Sequence, residues 1–86
     1  MRLVWDGSAW DDYLWWQAQD GKTLERINAQ IRDIQRNGNE GIGKPEQLRH
    51  GFQGYWSRRI TLEHRLVYKI IGDEIRVAAC RYHYGE

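Results

Sequence analysis

The groups in this chain best suited to chemistry are Glu46 in the glycine-rich GKPE stretch, the adjacent Arg58 and Arg59, then Arg65, and finally Arg81, His83 and Tyr84 near the C-terminal end. A carboxylate, several arginines and an imidazole suit phosphoryl transfer. Cleavage of RNA by its own 2′-hydroxyl requires a base for the hydroxyl proton, a fixed cation for the pentavalent phosphorane and an acid for the departing 5′-oxygen. Glu46, Arg65 and His83 match those three roles in type. An ordinary imidazole pKa of about 6.5 suits proton transfer near neutrality. Spacing alone leaves a duller reading open beside each role. Glu46 is equally a loop carboxylate, Arg65 a solvated strand residue or a partner for Glu63, and His83 an exposed imidazole of unset strand parity. Tyr82 and Tyr84 equally cap a sheet. No two of His50, His64 and His83 lie three or four residues apart, and Cys80 is the single cysteine, so neither a metal site nor a cofactor is expected.

Those residues must be positioned by a short list of elements. Arg2 to Asp6 has strand composition, and Gly7-Ser8 breaks it, with Ser8 and Asp11 in a capping arrangement. A first helix is expected from Ser8 to Gln19, with Trp10, Tyr13 and Leu14 at helical spacing and Trp16 or Trp15 extending the stripe. Asp20-Gly21 turns the chain. From Lys22 to Asn37, Leu24, Ile27, Ile31 and Ile34 recur at three and four residues, which predicts an amphipathic second helix ended by Asn37-Gly38. Residues 37–47, with three glycines and the only proline, read as a loop. Beyond it, Tyr55–Thr61, His64–Ile71 and Glu74–Tyr82 read as strands joined by Leu62-Glu63 and Gly72-Asp73. Counting back from Gly72-Asp73 pairs Ile70 with Ile75, Tyr68 with Val77 and Leu66 with Ala79 on one apolar face. Arg65, Val67 and Lys69 then lie on the opposite, open face. The expected class is α+β: a short N-terminal strand and two helices packed on one face of an antiparallel sheet.

With 86 residues the chain forms one domain, 1–86, too small for barrel enzymes or two-domain cofactor folds. Five Trp and five Tyr supply much of the area a small core needs, and the Trp residues read as core or dimer contacts. No apolar run exceeds about four residues, against roughly 20 for a membrane helix. No signal-peptide stretch follows Arg2, so a cytoplasmic place without membrane contact is expected. Residues 1–43 hold five basic and seven acidic side chains, whereas residues 44–86 hold eight and five. Ten of the thirteen basic residues are Arg, whose planar fork grips phosphate at two points. Any anionic ligand is therefore expected on the C-terminal half.

The segments AWDDYLWWQ (9–17), GKPE (43–46), GYWSRRIT (54–61), EHRLVY (63–68) and ACRYHY (79–84) together resemble the YoeB toxins of bacterial toxin-antitoxin modules, within the RelE/ParE superfamily. The resemblance spans nearly the whole chain. It implies a RelE-like microbial-ribonuclease fold and a ribosome-dependent endoribonuclease that cuts mRNA in the A site of the 70S ribosome without a metal. It further implies a YefM-type antitoxin, expected over the basic open face, and a homodimer. Carried over by position, Glu46 is the general base, Arg65 the transition-state arginine, His83 the general acid and Tyr84 the substrate-orienting aromatic. Lys44, Arg49, Arg58, Arg59 and Arg81 are the candidate RNA-phosphate contacts, Arg49 standing where the family has Lys. Gln47 replaces an expected proline, and Gly85-Glu86 extends the His-Tyr end. Two other readings remain: a non-catalytic toxin of the ParE branch, which inhibits DNA gyrase on a similar fold, and an inactive homologue that only binds RNA or antitoxin.

Overall fold

The structure, a computed structural model, describes residues 1–52 and 54–82. The isoleucine repeat of the second helix sets the packing. Helix α2 (Gly21–Asn37) buries Ile27, Ile31 and Ile34 and half-buries Leu24, as its spacing predicts. Its N-terminus is capped by Asp20, which accepts from the Thr23 hydroxyl and from the Thr23 and Lys22 amides. Those bonds, the Thr23 hydroxyl first, hold the Asp20 carboxyl below the usual range. At the other end Gly38 takes a left-handed φ of 65° and donates its N–H to the Ile34 carbonyl.

Helix α1 (Gly7–Gln19) departs from expectation in two ways. Asp6, not Ser8, occupies the cap position, and its side chain makes no capping bond. Tyr13 and Trp16 face inward as expected, but Ala9 joins them in place of Trp10 and Leu14, which are exposed. The cause is close approach. Ala9, fully buried, brings the helix backbone against Cys80, whose Sγ lies 3.7 Å from the Ala9 carbonyl. Trp10 then turns outward and stacks on Tyr13 with ring centroids 5.6 Å apart.

Five strands form one sheet: β1 (Arg2–Trp5), β2 (Glu46–Gln47), β3 (Trp56–Arg59), β4 (Arg65–Ile71) and β5 (Glu74–Ala79), in spatial order β1-β5-β4-β3-β2. Strand β1 runs parallel to β5, and every other neighbouring pair is antiparallel. The turn at Gly72-Asp73 sets the expected pairs Ile70–Ile75 and Tyr68–Val77. Leu66 does not pair with Ala79, because a bulge between Val67 and Tyr68 places Ala79 opposite Val67 instead. The strands on either side of β4 are also shorter than read from composition: β3 starts at Trp56 and β5 stops at Ala79.

Both helices cover one face, giving a main core of Ala9, Trp16, Ile27, Ile31, Ile34, Ile60, Leu66, Tyr68, Ile75, Val77 and Cys80. The opposite face is not wholly open. Leu48, Val67 and Ala79 form a second small cluster there, with Phe52 and Tyr55 against it, so Val67 is fully buried. Burial also pushes the Cys80 thiol up to about 12, which makes it a packing group at neutral pH. Ile27 has no exposed surface, so Ile27→Ala should cost about 2–5 kcal/mol in urea unfolding. Leu62→Ala, at a 91% exposed position, should stay within about 0.5 kcal/mol. Comparable losses at the two positions would contradict this core.

Candidate active site

Arg58 and Arg59 are chemically alike and adjacent, but strand parity separates them. Arg58 points to the helical face and is fully buried. Its guanidinium donates to the Tyr68 hydroxyl (3.2 Å), the Asp33 carboxylate (2.5 Å) and the carbonyls of Gly38 (2.7 Å), Glu40 (3.0 Å) and Ile42 (3.1 Å). All five N–H groups of an arginine are thereby used. The expectation that Arg58 contacts RNA phosphate is therefore corrected: no donor remains for a ligand, and the residue ties the 38–42 loop to the sheet. Asp33 also accepts from the Asn37 side chain and the Ile42 amide. Arg58 foremost holds its carboxyl below the usual range.

The anchored loop leads directly to Glu46. Gly43 (φ 79°) donates nothing but shape: a Cβ there would lie 2.6 Å from Gln30 Nε2 and 3.2 Å from the Arg59 carbonyl oxygen. Its own carbonyl accepts from the Arg59 amide at 2.7 Å. Lys44 follows in a left-handed conformation (φ 51°), unusual for a residue with a side chain. Pro45 then feeds β2, where Glu46 pairs with Ser57 and Gln47 with Trp56. Gln47, where the resemblance led to an expected proline, sits opposite Trp56 on this edge strand.

Sheet register does the rest. Ser57 pairs with Val67 and Arg59 with Arg65, so Glu46, Ser57, Arg59 and Arg65 share the face away from the helices. Arg65 Nη1 lies 3.3 Å from Glu46 Oε1. The two ends of this pair differ in access: the Arg65 side chain is 11% exposed and that of Glu46 is 64% exposed. Arg65 Nε is buried without a hydrogen-bond partner among the described residues, and so is the Ser57 hydroxyl between them in the ladder. An exposed carboxylate, a guanidinium held beside it and a second exposed arginine, Arg59, have the charges that suit a phosphodiester. Ser57 was not among the residues singled out from sequence, although its parity with Glu46 follows from the pairing once β2 is known.

His83, Tyr84, Gly85 and Glu86 lie outside the described residues. The chain leading to them is held on both sides. Asp12 accepts the Cys80 amide at 3.1 Å and the Trp16 indole donates to the Cys80 carbonyl at 2.8 Å. The Tyr82 carbonyl accepts from the Arg65 amide at 3.0 Å, and the Tyr82 amide donates to His64 Nδ1 at 2.8 Å. Burial raises the Asp12 carboxyl, against the pull of the Cys80 amide and Arg81. Arg81 does not join Arg59 and Arg65. Its guanidinium lies over the Trp15 ring at 3.5 Å and the Tyr82 ring at 4.6 Å, which makes it a bracket for the terminal segment. Lys44 and Arg49 are exposed on either side of β2. Among the described residues no three His, Cys, Asp or Glu side chains gather to hold a metal ion.

Residues 5–84 match the family described as the YoeB-like toxin of bacterial type II toxin-antitoxin systems. Toxin YoeB of Escherichia coli K12 is 54% identical over 84 residues, covering 98% of this chain and all of that protein. A YoeB/ParE toxin from Agrobacterium tumefaciens superposes with a TM-score of 0.95 at 50% identity, over 98% of this chain and 100% of that one. YoeB of Staphylococcus aureus, solved as a heterotetrameric YoeB-YefM complex, gives a TM-score of 0.91 at 45% identity over 98% of each chain; its dimer gives 0.92.

The Arg58 anchor has a signed acid dependence. Because Asp33 titrates lower in the folded chain than its ordinary value of about 4, its stabilisation is present above that value and is lost as pH falls through the lowered one. Asp33→Asn should lower the urea midpoint at neutral pH and flatten its acid decline. In an Arg58→Met background the same substitution should have little further effect. Additive losses would show that the two side chains act separately.

Proposed function

The chain belongs to the YoeB-like toxin family of bacterial type II toxin-antitoxin systems, and on that premise we propose that it is an endoribonuclease that cuts mRNA in the A site of the translating ribosome. The observation that carries the reading is the Glu46–Arg65 pair on the sheet face away from the helices, one group exposed and the other held beside it. In this reading Glu46 takes the proton of the RNA 2′-hydroxyl, and the resulting alkoxide attacks the adjacent phosphorus. Arg65, with Arg59 opposite it, carries the charge that builds on the phosphorane oxygens. His83, which follows Tyr82 in the chain, gives a proton to the departing 5′-oxygen, and Tyr84 orients the substrate. The products are a 2′,3′-cyclic phosphate and a 5′-hydroxyl. Lys44 and Arg49, exposed beside β2, are the peripheral phosphate contacts.

The same family membership supports a YefM-type antitoxin and a homodimer for this chain, as seen for the Staphylococcus aureus relative. An antitoxin segment laid over Glu46, Arg59 and Arg65 would occupy the phosphate site. Cytoplasmic action follows from the ribosomal substrate, and no helix among the described residues is long and apolar enough to cross a membrane.

Removing the base or the acid, by Glu46→Gln or His83→Gln, should slow single-turnover cleavage of ribosome-bound mRNA by about 10²–10⁴. Arg65→Lys keeps a charge but loses the planar fork, and Arg65→Ala should cost about 10²–10³. Full activity in Glu46→Gln would remove the nuclease assignment. Translation arrest in that variant with uncut transcript would favour an RNA- or antitoxin-binding homologue, and gyrase inhibition would favour the ParE-like reading.

A further inference from the structure

His64 precedes β4, and its side chain makes a contact that neither the proposed chemistry nor the core accounts for. Its backbone is fixed by the tight connection from β3: the His64 carbonyl accepts from the Ile60 and Thr61 amides, and its N–H donates to the Thr61 hydroxyl. Its ring stands edge-on to the buried Trp16, with centroids 4.8 Å apart at 87°. Nδ1 accepts the Tyr82 amide at 2.8 Å. A nitrogen that accepts a hydrogen bond carries no proton, so the neutral ring is the tautomer protonated on Nε2.

Tyr82 needs such a partner. Its φ of 66° lies in the left-handed region, which a side-chain-bearing residue occupies only where its surroundings hold it there. The Tyr82 carbonyl is tied to the Arg65 amide, and its amide is tied to His64. One residue therefore clips the terminal segment to the strand that carries Arg65. Resting on the nuclease reading, we propose that His64 is a positioning residue: its imidazole latches Tyr82, the residue from which the chain continues to His83 and Tyr84, beside Arg65. Without the acceptor, Tyr82 relaxes toward ordinary backbone angles, and the residue that precedes His83 is no longer held beside Arg65.

Two substitutions separate the latch from the packing. His64→Phe keeps an aromatic ring against Trp16 but removes the acceptor. His64→Asn keeps an acceptor near the Nδ1 position but removes the ring. In ribosome-dependent cleavage, His64→Phe should lose about ten- to a hundredfold in kcat, as expected for misplacement of a reacting group. Its KM should change less than its kcat, since Lys44, Arg49 and Arg59 are left in place to hold the phosphates. His64→Asn should recover most of that loss. In the wild-type protein, ¹⁵N NMR should show His64 Nδ1 unprotonated and accepting, and the Tyr82 amide should be protected from exchange. Wild-type turnover in His64→Phe, no recovery in His64→Asn, or a protonated Nδ1 would each overturn the latch while leaving the nuclease reading intact. A wild-type protein that cuts no mRNA would overturn both.

Discussion

The buried guanidinium of Arg58 is the contact on which the placement of the site depends. A charged group inside a domain this small is tolerated only when its hydrogen bonds are all made. Here one carboxylate, one phenol and three carbonyls make them. The three carbonyls belong to the loop between α2 and β2, so satisfying the charge and closing the loop are a single event. Asp33 on α2 and Tyr68 on β4 complete the set, which joins helix, sheet and loop at one point. Glu46 follows a few residues beyond the anchored loop. A glycine-rich segment with little apolar area of its own thus acquires a fixed exit.

The segment that leads toward His83 is held, as far as Tyr82, from the other side of the chain. Cys80 is held by Asp12 and Trp16 on α1, and Tyr82 by His64 and the Arg65 backbone. Arg65 lies between the two systems, with its side chain toward Glu46 and its amide toward Tyr82. Residues distant in sequence therefore meet because β4 is central enough to receive both. The open face can carry exposed charge because the apolar demand of that face is met by Leu48, Val67 and Ala79.

Much of this was legible in the residues. The isoleucine repeat of α2 has one period and one buried face, and the Gly72-Asp73 turn fixes register for the pairs nearest to it. The bulge after Val67 was not legible, because two-residue alternation continues through it and nothing in Val-Tyr marks the extra residue. Trp10 and Leu14 were misplaced in the α1 stripe because large apolar side chains outweigh a single alanine in a reading of apolar spacing, whereas close packing selected Ala9. Arg58 was grouped with Arg59 by chemistry, although its parity with Trp56, opposite Tyr68 and Leu66, already placed it inward. Glu46 and Arg65 were named from type and resemblance. Their meeting depends on a two-residue strand that composition hides inside a loop. The latch at His64 had no sequence signal, since it is a bond from a side chain to a backbone amide eighteen residues away.

On the proposed reading, the Glu46–Arg65 face cleaves RNA inside the ribosome by attack of the RNA's own 2′-hydroxyl. The most direct test is to add the protein to a translation reaction on one defined mRNA, with and without ribosomes, and to determine both the position and the end chemistry of every new terminus. The account requires cuts within ribosome-occupied codons, each leaving a 2′,3′-cyclic phosphate or its 3′-phosphate product and a 5′-hydroxyl. Cuts leaving a 5′-phosphate, or translation halted on an intact transcript, would contradict it.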